Sequence, residues 1–334
     1  MSAREQDGGA RGRSGRVQGA KAPLIDTHAH FVTDYYVACA RQAGIEHPDA
    51  MPGWPTWSAR EHMRLMDCVG IDRAILSISS PGVHFGDDDQ ARALAGHVND
   101  AAAEIVAKHP HRFGFFASLP LPDVGASLSE IGRASQLGAD GFVVETSAGG
   151  VYLADPDYEP VWSALNERRA VVFVHPTSPP GAERTDQGLP RPMLEFIFDT
   201  TRAFTGLIAN GVLTRHPDIR WIVSHGGAAL PLLADRIQYV LDVVGRTREG
   251  FATPQVREQL RHLWYDTAGF PVPAQLPLLL ETVDRSRVLY GSDYCWTPPA
   301  PVRTLAGALD GFFNARGEDW RAEFARNGAA LMAR

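Results

Sequence analysis

The sequence predicts an α/β fold, a single-domain (β/α)8 barrel of the TIM type with a small insertion after its first strand. Short apolar runs alternate with segments long enough for a helix, and such uninterrupted runs are typical of strands buried on both faces of a parallel sheet. The alternation occurs eight times, and 334 residues suit a barrel, which commonly exceeds ~250 residues. The predicted strands are Leu24–His30, Ala74–Ser79, Phe113–Pro120, Gly141–Thr146, Ala170–His175, Arg220–His225, His262–Ala268 and Val288–Asp293.

The first elements carry recognisable boundary signals. Residues 1–22 are rich in glycine and arginine without apolar periodicity, so we predict a disordered tail there and one barrel domain over residues 23–334. An insertion rich in proline and aromatic residues follows the first run, and Ser58 with Glu61 forms a capping box that starts a helix. After the second run, Asp87–Asp89 place negative charge at a helix N-terminus. Apolar residues then recur at helical spacing, at Leu94, Val98, Ala101 and Ile105.

The later runs end in polar residues. The fourth run closes with Glu145 and Thr146, and the fifth closes with His175. A proline-rich segment at residues 176–192 follows, which we interpret as either a lid or an irregular connection. The sixth run ends at His225 and the eighth at Asp293. No linker rich in proline or glycine divides the sequence after residue 23, which favours one domain.

Composition excludes several functional classes. A net charge of −7 without long acidic blocks argues against a nucleic-acid surface and favours a small-molecule partner. The three cysteines, Cys39, Cys68 and Cys295, support neither a disulfide framework nor a cysteine-based zinc site, so a reducing cytoplasm is expected. No apolar stretch reaches the ~18 to 20 residues needed to span a bilayer. Residues 1–22 also lack the apolar core of a signal peptide.

The strand ends carry a set of metal-ligand side chains. His28 and His30 are two residues apart, so a strand would direct both imidazoles to one face. His175, His225 and Asp293 close three other runs, and all C-terminal strand ends of a barrel meet at one rim. Each residue alone would more often be structural, but their coincidence at one rim predicts a metal site.

The residue types suggest roles. His28, His30, His175 and Asp293 form a nitrogen and oxygen set suited to one divalent ion, Zn²⁺ first and Mn²⁺ second, with an open position for water or substrate. His225 would be the nearby acid/base or orienting group. Asp26 is either the hydrogen-bond partner of a ligating histidine or a buried carboxylate bonded to backbone.

These motifs resemble the amidohydrolase superfamily over Leu24 to the C-terminus. That superfamily shares a His-x-His on the first strand, histidines on the fifth and sixth, and an aspartate on the eighth. Three segments resemble its branch of aminocarboxymuconate semialdehyde decarboxylases and related non-oxidative decarboxylases: His225–Pro231, Trp264–Thr267 and Gly291–Tyr294. Four others are similar to the 6-methylsalicylate decarboxylases: His47–Ser58, Ser77–His84, Arg112–Pro120 and His175–Pro180.

The resemblance implies a metal-dependent decarboxylase of an ortho-hydroxybenzoate such as 6-methylsalicylate, which would yield 3-methylphenol and CO₂. It also implies that protonated Asp293, with His225 nearby, delivers the proton to the ring. Related hydrolases place a bridging lysine on the fourth strand, and its absence here favours one metal, although Glu145 leaves a two-metal site open. A homodimer is implied as well, and we place its contact around the apolar helix Leu194–Ile208.

Substrate contacts and two other functions remain open at this point. Phe31, Trp54 and Trp57 could wall an aromatic pocket or form the core of the insertion. His84 and Arg236 are candidate polar contacts, with a helix-surface ion pair as the alternative for Arg236. The alternative functions are a mononuclear hydrolase of a lactone or amide, and a metal-binding protein without catalysis.

Overall fold

Seven parallel strands form the centre of the computed structural model, which describes residues 23–245, 247 and 252–333. Each strand pairs with the next one along the chain, as consecutive crossover units require. The strands are β1 (Ile25–His30), β2 (Arg73–Ser77), β3 (Phe113–Ser118), β4 (Gly141–Glu145), β5 (Val171–His175), β6 (Arg220–Val223) and β7 (Trp264–Tyr265). The tail predicted at residues 1–22 lies outside the described residues.

The eighth run closes the sheet into a barrel without forming a continuous strand. Parallel bridges join Tyr290 to Asp26 of β1 and Val288 to Tyr265 of β7. The run leaves the extended conformation at Asp293, whose φ is 57°. The seventh predicted run is also shorter than expected, because His262 ends the preceding helix. The barrel prediction is therefore confirmed, with two strands shortened beside the functional rim.

Helices cover the outside of the sheet, and both predicted helix starts are confirmed. Asp87 caps its helix by accepting from the backbone N–H of Gln90 (2.8 Å). Ser58 accepts from the N–H of Glu61 (3.3 Å) and donates to its carboxylate (3.1 Å), which completes the capping box. The helices are α1 (Asp34–Gln42), α2 (Ala59–Val69), α3 (Asp88–Lys108), α4 (Val124–Gln136), α5 (Glu159–Glu167), α6 (Glu195–Ala209), α7 (Val212–Arg215), α8 (Leu230–Gly245), α9 (Val256–His262), α10 (Gln275–Thr282), α11 (Pro299–Asn314) and α12 (Trp320–Met332). None of the described helices combines the length and apolarity needed to cross a membrane.

The barrel interior is a packed apolar core rather than a pore. Its buried side chains include Ile75, Phe116, Val143 and Ile222, and a second core lies between strands and helices. At the upper end of the interior, the ring of Phe173 lies 4.9 Å from that of His28. The apolar core therefore supports the polar rim directly from below.

Three irregular segments surround that rim. The insertion after β1 contains α1 and a short 3-10 turn, Pro48–Ala50. A small antiparallel hairpin, Ser147–Ala148 with Val151–Tyr152, follows β4. The proline-rich segment after β5 contains two further 3-10 turns, Ala182–Arg184 and Arg191–Met193. The first of these segments packs against the last, which brings the insertion and the loop after β5 together above the rim.

Candidate functional site

The five predicted side chains converge at the C-terminal rim of the barrel. One ligand atom from each of His28, His175, His225 and Asp293 lies within 4.8 Å of the others. His30 is not in that tightest group, but its Nε2 is 3.3 Å from Asp293 Oδ1. The His30 ring centroid lies 4.9 Å from those of His28 and His175. The structure thus brings all five side chains together. Both His30 and His225 are candidates for the third metal-binding imidazole beside His28 and His175.

Asp293 lies at the centre of this cluster, with different neighbours for its two oxygens. Oδ1 is 3.5 Å from His28 Nε2 and 3.3 Å from His30 Nε2. Oδ2 accepts a hydrogen bond from Thr297 Oγ1 (3.2 Å) and lies 3.9 Å from His225 Nε2. Burial alone would raise the pKa of Asp293, but the neighbouring imidazoles of His225, His28 and His30 hold it well below its ordinary value. The carboxylate is therefore ionised in this arrangement.

Hydrogen bonds at Nδ1 orient three of the imidazoles. His28 Nδ1 donates to Asp266 Oδ2 (2.9 Å), and His175 Nδ1 donates to the carbonyl oxygen of the following residue (2.7 Å). His30 Nδ1 is 2.9 Å from Ser77 Oγ, whose own proton goes to a backbone carbonyl (3.2 Å). Because these partners accept, Nδ1 carries the proton and Nε2 keeps its lone pair.

The unpaired nitrogens and the local charge fit a cation. His28 Nε2 and His30 Nε2 are both buried without a hydrogen-bond partner among the described residues. Burial lowers the pKa of His30 and of His175, which keeps these rings neutral. Burial would also lower the pKa of His28, but the carboxylate of Asp266 raises it to about 10. The neutral rings of His30 and His175 and the ionised carboxylates of Asp266 and Asp293 are groups that a divalent transition ion requires, and such an ion would displace the extra proton from His28.

The hydrogen-bond partner of the His28 ring is Asp266, which was not predicted from the sequence. Of the two roles considered for Asp26, the structure shows the carboxylate bonded to backbone. A register shift between Asp26 and Ala29 in β1 turns the Asp26 side chain away from the His28 ring. Asp26 Oδ1 instead accepts from the backbone N–H groups of His28 and Ser292 (both 3.1 Å). Asp266 follows β7 directly, so the rule that located Asp293 at a strand end could also have located it.

The aromatic residues of the insertion lie behind the site rather than on its wall. Phe31 is buried and packs edge-on against Trp57, with 5.9 Å between ring centroids. Trp57 Nε1 donates to His62 Nδ1 (3.1 Å). Trp54 Nε1 donates to a backbone carbonyl (2.9 Å), and its ring lies 5.8 Å from that of Trp296. The alternative of core packing is therefore the better description, because Trp54 finds its hydrogen-bond partner inside the insertion and Trp57 finds its partner on the adjoining helix α2.

The predicted polar contacts also lie outside the site. His84 Nε2 pairs with Asp88 (2.9 Å) beside a separate cavity of about 250 Å³. Arg236 is exposed on α8, where the adjacent Asp235 pairs instead with Arg257 (2.6 Å). Arg236 lies on the exposed surface of α8, whereas His84 lies in the loop before α3 and pairs with the first residue of that helix.

Glu145 lies behind His175 and not among the ligand atoms. Its Oε2 is 3.6 Å from His175 Nδ1, the nitrogen that faces away from Asp293. The side chain is only 11% exposed, and this burial raises its pKa well above the ordinary value. A bridging carboxylate would have to reach the Nε2 side of the histidines, which Glu145 does not.

A cavity of about 140 Å³ opens above the cluster. This is smaller than the ~300 to 1,000 Å³ of sites for drug-sized ligands, and it suits a single-ring molecule. His175, His225 and Asp293 form one end. The apolar walls are Met51, Pro192, Phe196 and Trp296, and a polar wall is formed by Asp49, Ser79 and Ser80. None of these wall residues was predicted, since all except Phe196, in the first turn of α6, lie in turns and loops without periodic patterns.

Comparison with known proteins identifies the family. A family model described as amidohydrolase matches residues 25–330. The chain belongs to the amidohydrolase family. Within this family it is 36% identical over 295 residues to 6-methylsalicylic acid decarboxylase from Penicillium expansum, covering 86% of this chain and 90% of that one.

Two solved structures extend the likeness to three dimensions. An amidohydrolase structure that is 32% identical superposes with a TM-score of 0.85, over 92% of this chain and 99% of the other. The 5-carboxyvanillate decarboxylase from Novosphingobium aromaticivorans, complexed with manganese and 4-hydroxy-3-methoxy-5-nitrobenzoic acid, is 25% identical with a TM-score of 0.80. The alignment covers 93% of this chain and 96% of that enzyme. The amidohydrolase barrel predicted from the sequence is thus confirmed over nearly the whole chain.

Proposed function

We propose that this protein is a metal-dependent, non-oxidative decarboxylase of an ortho-hydroxybenzoate such as 6-methylsalicylate. The observation that carries the proposal is the position of Asp293. It lies between imidazoles at the end of a cavity that suits one aromatic ring. The identity to a 6-methylsalicylic acid decarboxylase supports the same chemistry.

One divalent ion would be held by His28, His30, His175 and Asp293. His28 Nε2 and His30 Nε2 both face Oδ1 of Asp293 and have no hydrogen-bond partner, whereas His225 faces Oδ2. A divalent ion bound here supplies positive charge to the carboxylate and ortho-hydroxyl oxygens of the substrate. Mn²⁺ and Zn²⁺ both fit nitrogen and carboxylate donors, and manganese is the ion in the related 5-carboxyvanillate decarboxylase.

Residues of the chain would transfer the proton that the substrate ring needs. The ring carbon that bears the carboxylate must gain a proton before the carbon–carbon bond breaks, because a free aryl anion is too unstable to leave. Asp293 is ionised in the arrangement described above, so it must first gain a proton. Its Oδ2 lies on the His225 side of the cluster, where His225 can deliver that proton and Asp293 can pass it to the ring carbon. Bond cleavage then releases CO₂, and the bonding electron pair restores the aromatic ring.

The walls of the cavity would exclude water and orient the ring. Met51, Phe196 and Trp296 form flat apolar surfaces around the end that Asp293 closes. Burial between such walls strengthens the electrostatic interactions of the substrate and restricts its orientation.

Decarboxylation in D₂O tests the proposal. Protein stripped of metal and reloaded with Mn²⁺ or Zn²⁺ should convert 6-methylsalicylate or a related ortho-hydroxybenzoate into CO₂ and a phenol with one deuterium at the vacated carbon. Asp293→Asn should abolish turnover, while Asp89→Asn on the exposed start of α3 serves as the matched control.

The outcome that would overturn it is full turnover by metal-loaded Asp293→Asn, or no CO₂ from any ortho-hydroxybenzoate. Hydrolysis of a lactone or amide in place of CO₂ release would instead favour the hydrolase alternative. Metal content of His30→Ala and His225→Ala separates ligand from acid/base group, since only His30→Ala should lose the ion.

We also propose that the protein is a homodimer. α8 exposes Leu232 (70%) and Tyr239 (69%), and the neighbouring start of α6 exposes Leu194 and Phe198. Large apolar side chains exposed on two helices that pack together favour a protein contact, and they include part of the helix that we predicted for this role. Sedimentation analysis should give a dimer that Leu232→Lys with Tyr239→Lys converts to a monomer, and a monomeric wild type would refute it.

A further inference from the structure

A second buried carboxyl lies on the wall of the same cavity and has no part in the proton transfer described above. Asp49 belongs to the turn Pro48–Ala50 of the insertion, and it is only 8% exposed. Asp49 and Ala50 both adopt left-handed backbone conformations, with φ of 51° and 58°. Such a conformation is unfavourable for a residue with a side chain, and it often accompanies a functional constraint.

Contacts from two other segments hold this carboxyl in place. Ser178 Oγ donates a hydrogen bond of 2.5 Å to Asp49 Oδ1. Beside it, the hydroxyls of Ser80 and Thr177 are hydrogen-bonded to each other at 2.8 Å. Burial raises the pKa of Asp49, against the opposing effects of Ser178, Ser80 and Arg191. Asp49 is therefore a fixed and poorly hydrated polar group on a largely apolar cavity.

We propose that Asp49 is a specificity-determining residue that hydrogen-bonds a second hydroxyl group on the substrate ring. The inference rests on the proposed decarboxylase function and refines it, because the preferred substrate becomes a dihydroxybenzoate. A hydroxyl can donate to a carboxylate or accept from a carboxyl group, whereas a methyl group can do neither.

The small volume of the cavity makes the contact between the substrate ring and Asp49 important. In about 140 Å³, a ring that reaches Asp293 at one end also comes close to Asp49 on the polar wall. A methyl group placed there would cover the Asp49 carboxyl without forming a hydrogen bond to it, and sites built around a hydrogen bond reject analogues that lack it. A charge-assisted hydrogen bond corresponds to roughly tenfold or more in kcat/KM.

The test compares kcat/KM for the 2,3-, 2,4-, 2,5- and 2,6-dihydroxybenzoates with kcat/KM for salicylate and 6-methylsalicylate. At least one dihydroxybenzoate should exceed both by about tenfold. Asp49→Gly, which tolerates the positive φ and removes the carboxyl, should lower that ratio by about tenfold. Asp49→Asn should retain part of the preference. Ser178→Ala removes one of the contacts that hold Asp49 and should therefore also retain only part of it.

Two outcomes would overturn the proposal: no preference for any added hydroxyl in the wild type, or an equal loss for all substrates in Asp49→Gly. Calorimetric binding to metal-loaded protein keeps the test separate from the decarboxylase proposal. Resorcinol, catechol or hydroquinone should bind about tenfold more tightly than phenol to the wild type but not to Asp49→Gly. Equal binding of phenol and all three dihydroxybenzenes would refute the role of Asp49 even if no substrate were decarboxylated.

Discussion

Replacement of Asp266 by asparagine should weaken metal binding at the barrel rim. Asp266 Oδ2 accepts the proton of His28 Nδ1 (2.9 Å), and Oδ1 accepts from the backbone N–H groups of His225 (3.0 Å) and Ala268 (2.9 Å). An asparagine carbonyl can keep both backbone bonds. Its amide group, however, would offer a proton to Nδ1, which drives the His28 proton to Nε2 and blocks the lone pair needed for a metal.

The expected size of the effect follows from the single bond that changes. A hydrogen bond to a charged group contributes about 1.5 to 3 kcal/mol. Outer partners of metal-ligating histidines commonly contribute about 10- to 100-fold in metal affinity, which is about 1.4 to 2.7 kcal/mol. Both routes predict that Asp266→Asn raises the dissociation constant for Mn²⁺ or Zn²⁺ by one to two orders of magnitude.

Asp26→Asn is the matched control. Asp26 is equally buried and lies beside the same histidine, but its Oδ1 accepts only from backbone N–H groups. Competition with a chromophoric chelator should therefore give near-wild-type affinity for Asp26→Asn and weakened affinity for Asp266→Asn. Equal affinities in Asp266→Asn and the wild type would refute the assignment of Asp266 as the group that orients His28.

Three further predictions concern stability. Burial lowers the pKa of His62 to about 3, so between pH 6.5 and about 3 only the unfolded chain binds a proton there, and the free energy of unfolding should fall as the pH falls through that window. His62→Gln should reduce this fall between pH 6.5 and 4.5 by about 2 kcal/mol, measured by urea unfolding with chelator present. Ser58→Ala removes the α2 cap and should cost about 1 kcal/mol in the same assay, and an unchanged midpoint would contradict the capping box. Gly291→Ala would place a Cβ 2.8 Å from His28 Cβ and should cost about 1 to 3 kcal/mol, whereas Gly307→Ala, with no atom within 4 Å, should not destabilise.

The strand ends were predictable because a parallel barrel obeys a simple geometric rule. Each buried run had to end at the same rim, so His28, His175, His225 and Asp293 could be brought together before any coordinates were known. The rule works for strand ends because their position depends on chain direction alone. It required neither the exact register nor any side-chain rotamer.

The partners of those residues were less predictable, since they depend on register. The strand register shifts between Asp26 and Ala29 in β1. The His28 ring is hydrogen-bonded to Asp266, and Asp26 is hydrogen-bonded to the backbone. The aromatic side chains of the insertion posed a similar difficulty. Composition alone cannot distinguish a pocket wall from a local core, and Trp57 proved to have its hydrogen-bond partner on the adjoining helix α2.

Asp49 shows why specificity is harder to predict than the metal site. It lies in a turn without apolar periodicity, and its side chain reaches the cavity because two consecutive residues adopt positive φ. Ser178, which holds its carboxyl, comes from a loop 129 residues later in the sequence. The groups that bind the metal are set by the repeating barrel, whereas the groups that would select the substrate come from the irregular segments above it. Related barrels can therefore share one decarboxylation chemistry while differing in the ring substituents that they accept.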